Sequence, residues 1–136
     1  MAEWLTFSLL ALAFWGLWGL LAKVATLHLP PYGAYLVSTL GYLPVIGFLL
    51  VQRNFQVPWQ PAGWSAALGA GLCAALGLLC FYRALAGAPA ARVVPLTSLY
   101  PLVTVVLGYF LLKESLSFRH LGGIAAALVA VWLLAD

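Results

Sequence analysis

Five long apolar runs make up most of the chain, each cut from the next by a short cluster of proline, glycine, amide or charged residues. The runs cover about 4–27, 32–51, 63–86, 90–112 and 118–135. The cuts are His28-Leu29-Pro30-Pro31, the polar stretch QRNFQVPWQP at 52–61, Gly87-Ala88-Pro89 and Lys113-Glu114-Ser115. Residues of these kinds end helices or face water. A hydrocarbon core of about 30 Å takes about 20 helical residues to cross, which is the scale of each run. Apolar positions within a run are continuous rather than alternating, so barrel strands are excluded as the spanning element. The pattern predicts an all-α integral membrane protein, a five-transmembrane-helix bundle forming one domain over residues 1–136. Its last span is the weakest, because Arg119 and His120 leave about 15 uninterrupted apolar residues behind them.

Composition makes lipid the solvent for most of this surface. The chain is 65% apolar and 7% charged, with a mean hydropathy of +1.08, against about half and about a quarter in a soluble domain. The first run carries Glu3 where a secretion signal carries basic residues, and it exceeds the roughly 7–15 residues of a signal core. A retained span is therefore expected. Every connection is short, which places the activity within or across the bilayer.

Small residues fall at close spacing in two runs: Ala67, Gly71 and Ala75 with Gly69, Cys73 and Gly77 beside them, and Gly122, Gly123, Ala126, Ala127 and Ala130. Such positions let helix backbones approach in lipid. Cys73 and Cys80 are two helical turns apart, roughly 10 Å and too far for a disulfide, and are expected to pack as small residues.

Charge then changes the picture. The net charge is +3, from six basic and three acidic residues spread singly. No basic cluster is available to neutralise a run of phosphates, so nucleic-acid binding is not supported. Five spans put Arg53, Lys113 and Arg119 on the side of the N-terminus and Lys23, Arg83 and Arg92 on the other. His28 and His120 also divide one to each side. Three cations against three give the positive-inside rule nothing to act on. Either the tie is accidental, or the chain inserts both ways round and pairs with an inverted copy of itself.

No nucleophile–base spacing, phosphate-cradling glycine loop or metal-ligand set is present, so neither catalysis nor a cofactor is expected. Glu3, Glu114 and Asp136 all fall at span boundaries, which leaves no mid-membrane carboxylate for proton exchange. The polar residues inside the runs are of another kind. Thr97, Tyr100 and Thr104 follow i, i+3, i+7 spacing in span four, with Ser98 alongside, and Tyr35, Ser38 and Tyr42 repeat it in span two. Trp15 and Trp18 lie well inside span one, away from the ends where membrane aromatics gather. These stripes predict the walls of a cavity, or else hydrogen bonding between helices. Arg83, next to Tyr82 near the end of span three, is expected to snorkel to the interface or to meet a polar solute at a pathway mouth. Pro95 and Pro101 should bend span four, since each removes a backbone donor and crowds the carbonyl four residues earlier. For Pro101 that carbonyl is Thr97's, with hydroxyls at hand to help satisfy it.

With these residues assembled, the chain resembles one repeat of the EamA domain of the drug/metabolite transporter superfamily. The resemblance runs through FWGLWGLLAK (14–23), FYRALAGAPAARVVPLTSLYPLVTVVLGYFLLKESLS (81–117) and HLGGIAAALVAVWLL (120–134). Tyr82, Ala84, Leu85, Pro95, Pro101 and Glu114 stand in places where that family carries an aromatic–Ala-Leu helix end, a proline-containing span and a Glu before the last helix. Most members of the family hold two such five-span repeats in inverted orientation, whereas one is present here. The resemblance implies transport of small metabolites or drugs, with an alternating-access route between inverted halves. It supplies no universal binding motif. The expectation is a secondary transporter subunit in a bacterial inner membrane, working as a homodimer of opposed copies. A membrane assembly or accessory subunit and a flippase for lipid-linked substrates stay open as alternatives.

Overall fold

The computed structural model describes residues 3–113 and 117–135, and every element in it is an α-helix. Glu114 and Ser115, the acid of the resemblance and part of the last predicted cut, lie outside the described residues. The chain forms two compact units, the first ending at Gly87 and the second beginning at Ala88.

The first unit contains α1 (Glu3–His28), α2 (Pro31–Leu40), α3 (Leu43–Gln52) and α4 (Pro61–Gly87). Helix α1 runs through residues that are nearly all apolar and stops at His28, because Pro30 biases the residue before it to extended backbone. Pro30 itself is extended (φ −62°, ψ 153°) and caps α2, whose first residue is Pro31, a position where a missing N–H costs nothing. Helix α1 packs on α2 and α4, and α2 packs on α4. Their meeting points are small residues, Gly19 and Ala22 of α1 and Ala34 of α2, all buried. On α4 the buried residues are Phe81, Tyr82 and Leu85, near its end. Dispersion between close-packed atoms holds such a contact, since lipid tails are as apolar as the side chains they replace.

The predicted small-residue approach along span three is not made inside this unit. Added Cβ atoms at Gly69, Gly71 and Gly77 would meet nothing within 4 Å, and the packed end of α4 is its bulky one. In the second unit, α5 (Ala90–Thr97), α6 (Tyr100–Leu111) and α7 (Phe118–Ala135) follow in order, and α5 packs on α7. Val93 and Gly108 are its buried residues among those described. Helix α7 opens with a reciprocal cap: the Ser117 N–H donates to Nδ1 of His120 at 3.4 Å, and the His120 N–H donates to Oγ of Ser117 at 3.3 Å. This is the capping-box arrangement with a histidine at the third helical position, so His120 is a helix-start residue.

Among the described residues, four segments are long and apolar enough to cross a membrane: Glu3–His28, Pro31–Gln52, Pro61–Gly87 and Ala90–Leu111. Their mean hydropathies are 1.7 to 1.9. Phe118–Leu133 is a shorter apolar helix, in line with the weaker signal of the last run. The all-α membrane architecture expected from the sequence is thus present, with one refinement: spans two and four are each two helices, not one.

Candidate solute pathway

Both interruptions fall near mid-span and have one cause. In span two the break is at Gly41–Tyr42, ahead of Pro44; in span four it is at Ser98–Leu99, ahead of Pro101. A proline three residues on cannot donate to the carbonyl four residues before it, so Leu40 and Thr97 lose their ordinary partners. Nearby N–H groups turn to tighter i→i−3 bonds instead. Gly41 donates to Ser38 O and Tyr42 to Thr39 O, each at 3.1 Å, while Leu99 donates to Leu96 O at 3.2 Å and Leu102 to Leu99 O at 2.9 Å. The turn is tight enough that a Cβ on Gly41 would stand 3.2 Å from Ser38 O. The span-two break was missed in the sequence reading, although Pro44 is the same signal as Pro101.

The hydroxyls do not serve the freed carbonyl of Thr97. Thr97 Oγ1 donates to Val93 O at 2.8 Å and lies 3.1 Å from Val94 O, and Ser98 Oγ donates to Val94 O at 2.7 Å. Back-bonding of this kind bends a helix, so the hydroxyls add to the break rather than repair it. Pro95 sits inside α5 without interrupting it. A backbone carbonyl without a donor costs several kcal/mol in hydrocarbon. Such positions are tolerated at membrane depth where they are covered by protein or face water.

The remaining expected wall residues divide between the units. On α1, Trp15 is 62% exposed while Trp18 is half-buried and stacks on Phe81, with ring centroids 4.8 Å apart and planes at 23°. Phe81 meets Tyr82 edge-on at 6.4 Å. Tyr82 is 2% exposed, inside the packed end of α4 instead of on an open wall. Tyr35 and Ser38 are half-buried on the face of α2 that carries buried Ala34, and Ser38 Oγ donates to Tyr35 O at 2.8 Å. Tyr42 stands in the break, 54% exposed. The first unit therefore brings together Trp18, Phe81 and Tyr82, with Tyr35 and Ser38 on a neighbouring packed helix. Thr97, Ser98, Tyr100 and Thr104 belong to the second unit, where all four are exposed. Arg83 is exposed at the end of α4.

One contact was not legible beforehand. The Lys23 ammonium donates to Leu85 O at 2.7 Å. The last four carbonyls of a helix have no intrahelical donor, and Leu85 is 0% exposed. A cation at a helix C-terminus also meets the favourable end of the macrodipole. Lys23 thus ties α1 to the end of α4.

A four-span-plus-one helical chain with two proline-broken spans has the make-up of a solute carrier, and the sequence comparisons agree. The profile of the EamA-like transporter family matches residues 2–135. The chain belongs to the EamA-like transporter family. An uncharacterized protein of Methanocaldococcus jannaschii is 31% identical over 93% of this EamA-like chain and 92% of its own length. An uncharacterized transporter encoded in a cobO 3′ region of Sinorhizobium sp. is 30% identical over 98% of the chain and 96% of its own. Protein LicB of Haemophilus influenzae is 28% identical over 95% of the chain, which covers 46% of LicB. No solved structure matches the chain. The protein is a multi-pass membrane transporter of the drug/metabolite kind.

Proposed function

We propose that this EamA-like protein works as a homodimer of oppositely oriented copies that moves a small metabolite or drug-like solute across a bacterial inner membrane. The even division of cations, Arg53, Lys113 and Arg119 against Lys23, Arg83 and Arg92, carries this reading. A chain without charge bias inserts in both senses, and two opposed five-span repeats reproduce the inverted-repeat plan of secondary transporters. Two relatives are matched over nearly their full length, while LicB has room for a second segment of this size. The open small-residue face of α4 gives a second copy a surface it can approach closely. Trp15, Trp18, Tyr35, Ser38, Tyr42, Arg83, Thr97, Ser98, Tyr100 and Thr104 are the proposed route residues, with Tyr82 packed inside the end of α4, and the breaks ahead of Pro44 and Pro101 are its flexible points.

A reporter fused at the C-terminus should be found on both sides of the membrane in comparable amounts. One added lysine in the 53–60 loop should collapse the distribution to a single side. A single population that ignores the lysine would sink the opposed-copy reading.

The route itself is tested by hydration. With Cys73 and Cys80 replaced by Ala, Tyr42→Cys at the centre of span two should react with a charged maleimide at least about tenfold faster than Phe48→Cys, because thiolate forms where water reaches. Equal, slow labelling of both would remove Tyr42 from the route.

A further inference from the structure

The connection between α3 and α4 is built as a fixed structure although it carries no helix. Arg53 N donates to Leu49 O, Asn54 N to Val51 O at 3.1 Å and Phe55 N to Leu50 O at 2.8 Å. These last two are the paired bonds of a Schellman closure, with Asn54 in the left-handed position (φ 48°). Phe55 follows at φ 59°, a conformation that bulky residues rarely hold. Further on, Trp64 Nε1 donates to Pro58 O at 2.9 Å, and the Trp59 and Trp64 rings lie 4.8 Å apart. The loop is thus pinned at both ends, yet it turns its apolar side chains outward. Phe55 is 72% exposed, Val57 57% and Trp59 73%.

Position explains what those side chains meet. The loop joins the end of one membrane-crossing segment to the start of the next, so it lies at the level of lipid headgroups, where tryptophan gathers. A groove there is lined by Leu49, Leu50, Arg53, Phe55, Gln56, Val57 and Pro58. Arg53 is the one charged residue in the sequence between Lys23 and Arg83. A single guanidinium set among apolar walls matches an amphiphile with a negative head.

We propose that this groove holds one anionic phospholipid, with Arg53 on its phosphate and the apolar lining against the upper carbons of its acyl chains. The site stands whether or not the transport reading does. Native mass spectrometry of the purified full chain, offered equal dioleoyl phosphatidylglycerol and dioleoyl phosphatidylcholine, tests it. The wild type should retain one phosphatidylglycerol per chain with about fivefold preference, the scale of one cation near an anionic lipid. Arg53→Gln should lose the preference, Arg53→Lys should keep most of it, and Lys113→Gln should leave it unchanged. Val57→Glu, which places a carboxylate in the groove from an exposed loop position, should expel the lipid without touching the helices. Equal retention of both lipids, an undiminished preference in Arg53→Gln or Val57→Glu, or displacement by excess inorganic phosphate would overturn the proposal; the last would mark a free-anion site.

Discussion

Tyr82→Ala should be the most damaging single truncation in the first unit. The side chain is 2% exposed, as buried as Leu85 three residues on, and meets Phe81, which stacks on Trp18. Aromatic-to-Ala changes in cores cost about 3–5 kcal/mol. In a bilayer the lower end of that range applies, because released apolar groups still find lipid and the loss is mainly of the contacts around the cavity. Denaturant titration of the purified protein in detergent, followed by circular dichroism, should show this loss. Tyr82→Phe, which keeps the ring, should stay within about 1 kcal/mol, the scale of one hydrogen bond. Trp15→Ala on the exposed side of α1 should stay within about 0.5 kcal/mol. If Tyr82→Ala is as mild as Trp15→Ala, the packed end of α4 does not hold the unit together.

The contrast between Tyr82 and Trp15 also shows what a sequence of this kind makes legible. The length and continuity of the apolar runs set the spans, since bilayer thickness leaves little freedom in them. The burial pattern is another matter. In a soluble protein apolar residues mark the inside, but here 65% of the chain is apolar and the runs are apolar on all sides, so Tyr82, Leu85 and Trp15 look alike along the chain. The same ambiguity affects the small residues: Gly19 and Ala22 are buried contacts, whereas Gly69, Gly71 and Gly77 face open space. Proline is the exception, because its missing N–H acts locally. Pro101 marked its break in advance, and Pro44 carried equal information. The stripes of Tyr35, Ser38 and Tyr42 and of Thr97, Tyr100 and Thr104 were visible as spacing. The hydroxyls' bonds back to Val93 and Val94 depend on side-chain rotation that spacing does not encode.

Lys23→Met should produce two effects that separate cleanly. It removes the ammonium from Leu85 O, leaving a helix-end carbonyl in a residue that is 0% exposed. Hydrogen bonds from charged groups contribute about 1.5–3 kcal/mol, so a loss of that size is expected in the same denaturant titration. It also leaves two cations against three across the membrane, which should move a balanced chain toward one orientation. Arg83→Gln removes a cation from the same side, but Arg83 is exposed at the end of α4; it should shift orientation equally while stability stays within about 0.5 kcal/mol. Lys23→Arg keeps the charge and should leave orientation balanced, whatever its longer fork does to the fit at Leu85. A stability loss in Lys23→Met without any change in reporter distribution would keep the α1–α4 tie and remove charge balance as the determinant of topology. An equal orientation shift in both variants, with Lys23→Met fully stable, would do the reverse.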